Sequence, residues 1–88
     1  MTELSPPTSL ADVRLHLERA IGSVAPDVVD EVASLGPDVD FFEEFGLDSM
    51  DRLTIMESLV ASTGIAIPDD VVARLTTIRQ LTDHLMSN

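Results

Sequence analysis

Gly46-Leu47-Asp48-Ser49-Met50 is the stretch of this chain whose residue types and order can do chemistry. Ser49 follows a turn and opens an apolar-periodic run, which places it in the first turn of a helix with its hydroxyl facing solvent. A helix N-terminus leaves backbone N–H groups unpaired and carries the positive end of the helix dipole, so it suits a phosphate. Ser49 is therefore a candidate attachment point. Ser and Asp also serve as ordinary helix caps, and the five residues alone leave both uses open.

Other chemistries find less support around this serine. A nucleophilic serine needs a base within hydrogen-bond reach and a third group orienting that base. The only histidines, His16 and His84, fall on the first and last predicted helices, and with no partner pattern beside them both are expected as surface residues. Asp38, Asp40, Glu43, Glu44, Asp48 and Asp51 crowd one end of the helix that Ser49 opens, but they lack the alternating oxygens, sixth-place glycine and twelfth-place glutamate of a calcium loop. A solvated acidic face is the expectation, with no metal site.

Composition narrows the function classes further. With 88 residues the chain is one small domain, and with no cysteine it has no disulfide, no thiol nucleophile and no Cys-based metal site. Any thiol chemistry must be brought in. The net charge of -11, from 16 acids against 5 bases, argues against nucleic acid and favours basic partners. No apolar run is long enough to span a membrane, and Met1-Thr2-Glu3-Leu4 lacks the basic start of a signal peptide, so the cytoplasm is the expected compartment; a monomer is expected.

The elements that must position Ser49 are helices throughout. Residues 1–8, with Pro6 and Pro7, read as a disordered lead-in, residues 9–86 as the domain and residues 87–88 as a tail. Ser9-x-x-Asp12 has capping-box spacing, and Leu10, Val13, Leu17, Ala20, Ile21 and Val24 predict a helix from Leu10 to Val24, ended by Pro26. A long connection follows from Ala25 to Asp48. Val28, Val29 and Val32 fit a partial helical turn, Leu35, Val39, Phe41 and Phe45 are expected to pin the loop, and all three phenylalanines to anchor in the core.

The helix opened by Ser49 is predicted to reach Thr63 and stop at Gly64, with Ile55, Met56, Leu59 and Thr63 facing the core. Met50, Leu53 and Glu57 share another face beside Ser49, which reads as a docking surface. Pro68 suits the first position of a short helix, Pro68 to Arg74. Thr77-x-x-Gln80 and the run Ile78, Leu81, Leu85 predict a last helix from Ile78 to Met86. No strand pattern and no repeat emerges. The fold class is all-α, a small four-helix bundle of three long helices and one short one with a long first loop.

Three segments in order, Asp38-x-x-Phe41-x-x-x-Phe45-Gly46-Leu47-Asp48-Ser49-Met50-Asp51, Gly64-Ile65-x-Ile67-Pro68-Asp69 and Leu75-Thr76-Thr77-Ile78, together resemble an acyl carrier protein. The resemblance runs from about Leu10 to Met86. It implies that Ser49, in the D-S-[LM] motif, receives 4'-phosphopantetheine from coenzyme A through a phosphopantetheinyl transferase. The thiol of that arm would carry acyl or aminoacyl groups as thioesters, which supplies the missing sulfur, and the domain itself would catalyse nothing. The resemblance further implies partners with basic docking surfaces, among them a loading enzyme and a ketosynthase or acyltransferase, that read Asp48, Met50, Asp51, Leu53 and Glu57.

Primary fatty-acid carriers usually have more acids through the middle and end of this helix, where Thr54, Val60, Ala61 and Ser62 stand here. The segment from Pro37 to Glu44 is similar to that of discrete aminoacyl carriers. A freestanding carrier of a specialised polyketide-like or aminoacyl pathway is the expectation, with a primary fatty-acid carrier or an unmodified acidic interaction module as the alternatives. Arg52 is expected to pair at the surface with Glu44 or Asp48.

Overall fold

The computed structural model describes residues 6–87, and among them the secondary structure is helical, with no strand. Three longer helices carry the fold: α1 (Leu10–Gly22), α4 (Ser49–Thr63) and α6 (Ile78–Met86). Three single-turn helices sit in the connections: α2 (Val29–Val32), α3 (Phe41–Glu44) and α5 (Asp69–Val72). A 3-10 turn, Pro26–Val28, precedes α2. The helix α1 packs against α2, α4 and α6.

Each long helix brings one apolar stripe to the common core. Val13, Leu17, Ala20 and Ile21 come from α1, Ile55, Met56 and Leu59 from α4, and Ile78, Leu81 and Leu85 from α6. Phe41, Phe42, Val32, Leu35 and Leu75 close the core from the connecting segments. This burial of apolar area from five helices and the loops between them is what a short chain without disulfides relies on.

The predicted element ends need several corrections. The first helix stops at Gly22, two residues before Val24, because Ser23 tightens the last turn: its N–H reaches the Ala20 and Ile21 carbonyls and its hydroxyl donates to Ala20 O at 2.7 Å. Pro26 then opens the 3-10 turn, where its missing N–H costs nothing. At the other end of α1, Ser9 accepts from the Asp12 N–H at 3.2 Å, but Asp12 does not complete a box with Ser9. Its carboxylate accepts from the Thr8 N–H at 2.9 Å and the Thr8 hydroxyl at 2.6 Å, and these bonds hold it below the usual carboxylate range.

The short helix is one turn, Asp69–Val72, with Pro68 as its extended N-cap (φ −62°, ψ 150°) and not its first helical residue. The Pro68 carbonyl accepts from the Val71 and Val72 N–H groups, after which 3-10-type bonds to Arg74 and Leu75 end the helix early. His16 is not a surface residue: it is 6% exposed, and its Nδ1 lies 2.9 Å from the Ser62 hydroxyl, joining α1 to α4. His84 is half-buried with its Nε2 3.0 Å from Ala66 O. Of the residues expected to pin the first loop, Leu35 and Phe41 are buried, Phe45 is half-buried against the core, and Val39 is 38% exposed. The lead-in overlaps the described residues at Pro6, Pro7 and Thr8, where Pro7 is buried; residues 1–5 and Asn88 of the tail lie outside them.

Candidate functional site

The connection before Ser49 is held by hydrogen bonds that the sequence does not advertise. Arg14 of α1 donates through Nη1 to Val32 O at 2.8 Å and Leu35 O at 2.7 Å, so one guanidinium gathers the carbonyls ending α2. Farther on, Arg79 of α6 donates its backbone N–H to Pro37 O, and the Phe41 N–H reaches Thr76 O at 3.0 Å. The Arg79 side chain forks onto Asp38, Nε to Oδ1 at 2.6 Å and Nη2 to Oδ2 at 3.2 Å. That hydrogen-bonded pairing holds the Asp38 carboxyl below its ordinary range and raises the Arg79 guanidinium.

Helix α3 turns this anchored loop toward α4. Asp40 caps it, its Oδ1 accepting from the Phe42 N–H at 2.9 Å and the Glu43 N–H at 3.1 Å. The helix ends in a Schellman arrangement: Gly46 N–H bonds Glu43 O at 3.2 Å and Leu47 N–H bonds Phe42 O at 2.8 Å. Gly46 has φ +63°, the left-handed conformation this ending requires and one that a side chain disfavours. Leu47 lies half-buried against the core and fixes the chain's direction. Asp48 follows in extended conformation as the N-cap of α4.

Asp48 and Asp51 form a reciprocal capping box. Asp48 Oδ1 accepts from the Asp51 N–H at 2.8 Å, and Asp51 Oδ2 faces the Asp48 N–H at 3.4 Å. Sequence reasoning left a cap at Asp48 open beside its assignment to partner contacts, and missed the reciprocal part of Asp51, although their i, i+3 spacing before an apolar run is the signal of a box. Ser49 is the first residue of α4 and is exposed. Among the described residues its hydroxyl takes part in no hydrogen bond, and the backbone N–H groups of Ser49 and Met50 precede the first intrahelical bond.

The other predicted site residues gather on the outer face of the same helix. Met50 is 70% exposed and Leu53 51%, both large apolar side chains open to solvent, and Glu57 is exposed along the same face. Asp48 is exposed and Asp51 half-buried. An open cleft of about 210 Å³ lies beside this face between α4 and α5, lined chiefly by Leu53, Met56, Val60, Ile67 and Val72. Arg52 does not form the expected pair with Glu44 or Asp48: its guanidinium carbon lies 4.3 Å from the centre of the Phe42 ring, where the π face attracts it. Among the described residues the Arg79–Asp38 bridge is the one ion pair.

This arrangement fits a phosphodiester on Ser49. Ser49 is exposed, and the N–H groups of Ser49 and Met50 precede the first intrahelical bond of α4. No group of three or more His, Asp or Glu side chains among the described residues converges as a cation site. No helix among them is long and apolar enough to cross a membrane.

Comparison with known proteins places the whole domain in a family. Residues 17–85 match the model of a family described as "Phosphopantetheine attachment site". An acyl carrier protein of Streptomyces coelicolor is 35% identical over 78 residues, 88% of this chain and 85% of the relative. One from Cyanidioschyzon merolae is 24% identical over 72 residues, 82% of this chain and 79% of its own. "Acyl carrier protein 2" of Pseudomonas aeruginosa is 38% identical over a shorter 48 residues, 54% of this chain and 61% of its own. No solved structure matches.

Proposed function

The chain belongs to the acyl carrier protein family, and from that premise we propose that Ser49 is the residue that bears its 4'-phosphopantetheine. Members of this family are carriers without catalysis of their own, modified by a phosphopantetheinyl transferase and served by acyl-handling enzymes. The observation that carries the assignment is the placement of Ser49. It is exposed, stands at the first position of α4 behind a left-handed Gly46, and has a hydroxyl that takes part in no hydrogen bond among the described residues.

The arm supplies the thiol on which a group travels as a thioester. The chain's own residues do the presenting. The Schellman turn sets the direction of approach, the Asp48–Asp51 box closes the helix start, and the uncommitted N–H groups of Ser49 and Met50 favour a negative phosphodiester. Among the described residues no hydrogen bond joins the Ser49 hydroxyl to a base, so activation of the hydroxyl falls to the transferase.

Asp48, Met50, Asp51, Leu53 and Glu57 form the surface that partners read. Basic partner surfaces are drawn by the acids, while Met50 and Leu53 supply a small apolar contact, an arrangement suited to brief binding by one enzyme after another. Those partners are a loading enzyme for acyl or aminoacyl groups and a ketosynthase or acyltransferase. The protein works as a cytoplasmic monomer. The outer surface of α4 beyond Glu57 is neutral, with exposed Ala61 and half-buried Val60 and Ser62, and this supports a specialised polyketide-like or aminoacyl pathway over primary fatty-acid synthesis.

Incubation with coenzyme A and a broad-specificity phosphopantetheinyl transferase tests the assignment. Intact mass should rise by one phosphopantetheine in the wild type and stay constant in Ser49→Ala. An equal rise in both, or in neither, contradicts it. Efficient loading and elongation of the modified protein by purified fatty-acid synthase components would overturn the pathway reading while leaving the carrier role standing.

A further inference from the structure

Arg52 is the one basic residue between Arg19 and Arg74, and it stands among acids, yet its guanidinium lies on an aromatic ring. The ring belongs to Phe42, which is 3% exposed and sits in α3, on the far side of the turn from α4. The backbone of the same Phe42 supplies the carbonyl that accepts the Leu47 N–H at 2.8 Å in the Schellman turn. Arg52 is itself bonded to the cap, its backbone N–H meeting Asp48 O at 3.0 Å. The Arg52 side chain thus ties Phe42, at the start of the segment that delivers Ser49, to the first turns of α4, whose own backbone ladder holds the Asp48 end.

From this closed circuit we infer that Arg52 is a positioning residue for modification of Ser49. Its planar guanidinium stacks on Phe42 and fixes α3 against the first turn of α4, so the Gly46–Ser49 turn keeps one conformation while the transferase engages it. Among the described residues no ion pair forms at Glu44, Asp48 or Asp51, so the acidic rim keeps its field for basic visitors. Arg52 acts through Phe42.

This inference rests on Ser49 as the attachment residue, so its test has an arm that does not depend on modification. Amide hydrogen exchange on the full-length unmodified protein reports the turn through the Gly46, Leu47 and Asp51 N–H groups. In Arg52→Ala these amides should exchange about 3- to 10-fold faster, the range that loss of a partly desolvated cation–ring contact corresponds to. The exchange of Leu17 and Leu59 in the core should stay as in the wild type.

With coenzyme A and the transferase, kcat should fall by about the same 3- to 10-fold factor with KM for the carrier unchanged, since the loss is of orientation and not of docking. Arg52→Lys keeps a cation able to sit on the ring and should move both readouts back toward the wild type. Unchanged exchange at the three amides in Arg52→Ala overturns the inference. So does an effect confined to KM, which would make Arg52 a docking charge. Were Ser49→Ala to be modified normally, the attachment assignment would fail, and the exchange result would still decide whether Arg52 holds the turn.

Discussion

Replacing Gly46 with alanine isolates one torsional preference at the approach to Ser49. Gly46 has φ +63°, and a Cβ built on it meets no atom within 4 Å, so neither a clash nor a filled void complicates the change. What remains is the cost of holding an L-residue in the left-handed region, about 1–2 kcal/mol. A domain of this size has roughly 4–13 kcal/mol of stability at the usual value per residue, so the loss is substantial without being fatal. It corresponds to a fall in Tm of about 4–16 °C for a chain of this length.

Gly22→Ala makes the control of opposite sign. Gly22 ends α1 without a positive φ, and its Cβ would meet Val29 Cγ2 at an ordinary 3.6 Å. Alanine there restricts the unfolded chain and should stabilise by about 0.4–1 kcal/mol. Thermal and urea unfolding followed by far-UV circular dichroism measures both variants. A neutral or stabilising Gly46→Ala would refute the claim that the Schellman turn before Ser49 demands a left-handed residue. Because the same turn aims the serine, Gly46→Ala should also slow phosphopantetheine transfer at temperatures where the protein remains folded.

Three further perturbations address the supports of the site. The Asp38 carboxyl is held low by the Arg79 hydrogen bond, so its contribution to stability should be fully present above the ordinary carboxylate value of 3.8 and be lost as pH falls through its depressed value. The difference in unfolding free energy between wild type and Asp38→Asn should accordingly be pH-independent near neutrality and shrink in acid; a difference that grows on acidification contradicts the pairing. Thr77→Ala removes the hydroxyl that accepts from the Gln80 N–H at 3.1 Å and should cost about 1 kcal/mol in urea unfolding. Phe41 is fully buried, so Phe41→Ala should cost about 3–5 kcal/mol, and a loss below 1 kcal/mol would mean that the loop is not anchored there.

How much of this was legible in the sequence depends on the range of the forces involved. The bounds of α4 and α6 were readable because their signals are local: Gly64 with its φ of +75° after Thr63, and the Thr77–Gln80 box before Ile78. The core stripe Ile55, Met56, Leu59, Thr63 was readable for the same reason, since it depends only on helical spacing. The Asp48–Asp51 box carried a local signal too: a cap at Asp48 was an open reading, and only its reciprocal bond with Asp51 went unread.

What was not legible depends on partners far away in the chain. His16 is buried because Ser62, 46 residues later, offers its hydroxyl across the α1–α4 contact. Arg52 turns from its neighbouring acids to a ring ten residues earlier, and nothing in the intervening spacing favours one over the other. The long first connection looked unsupported until Arg14 and Arg79 supplied its missing backbone partners from two different helices. The short α5 ends early because its last carbonyls close 3-10-type bonds, a tightening that propensity does not foretell.

Peptide-level tandem mass spectrometry after loading with coenzyme A and a transferase tests the central claim most directly, because it reads the position of the arm and not merely its presence. The chain offers other serines, Ser58 and Ser62 on the same helix among them. The phosphopantetheine is expected on Ser49 alone, in the peptide that follows Gly46. An arm located on any other serine, or a loaded Ser49→Ala protein, would contradict the assignment of the open hydroxyl at the start of α4 as the attachment site.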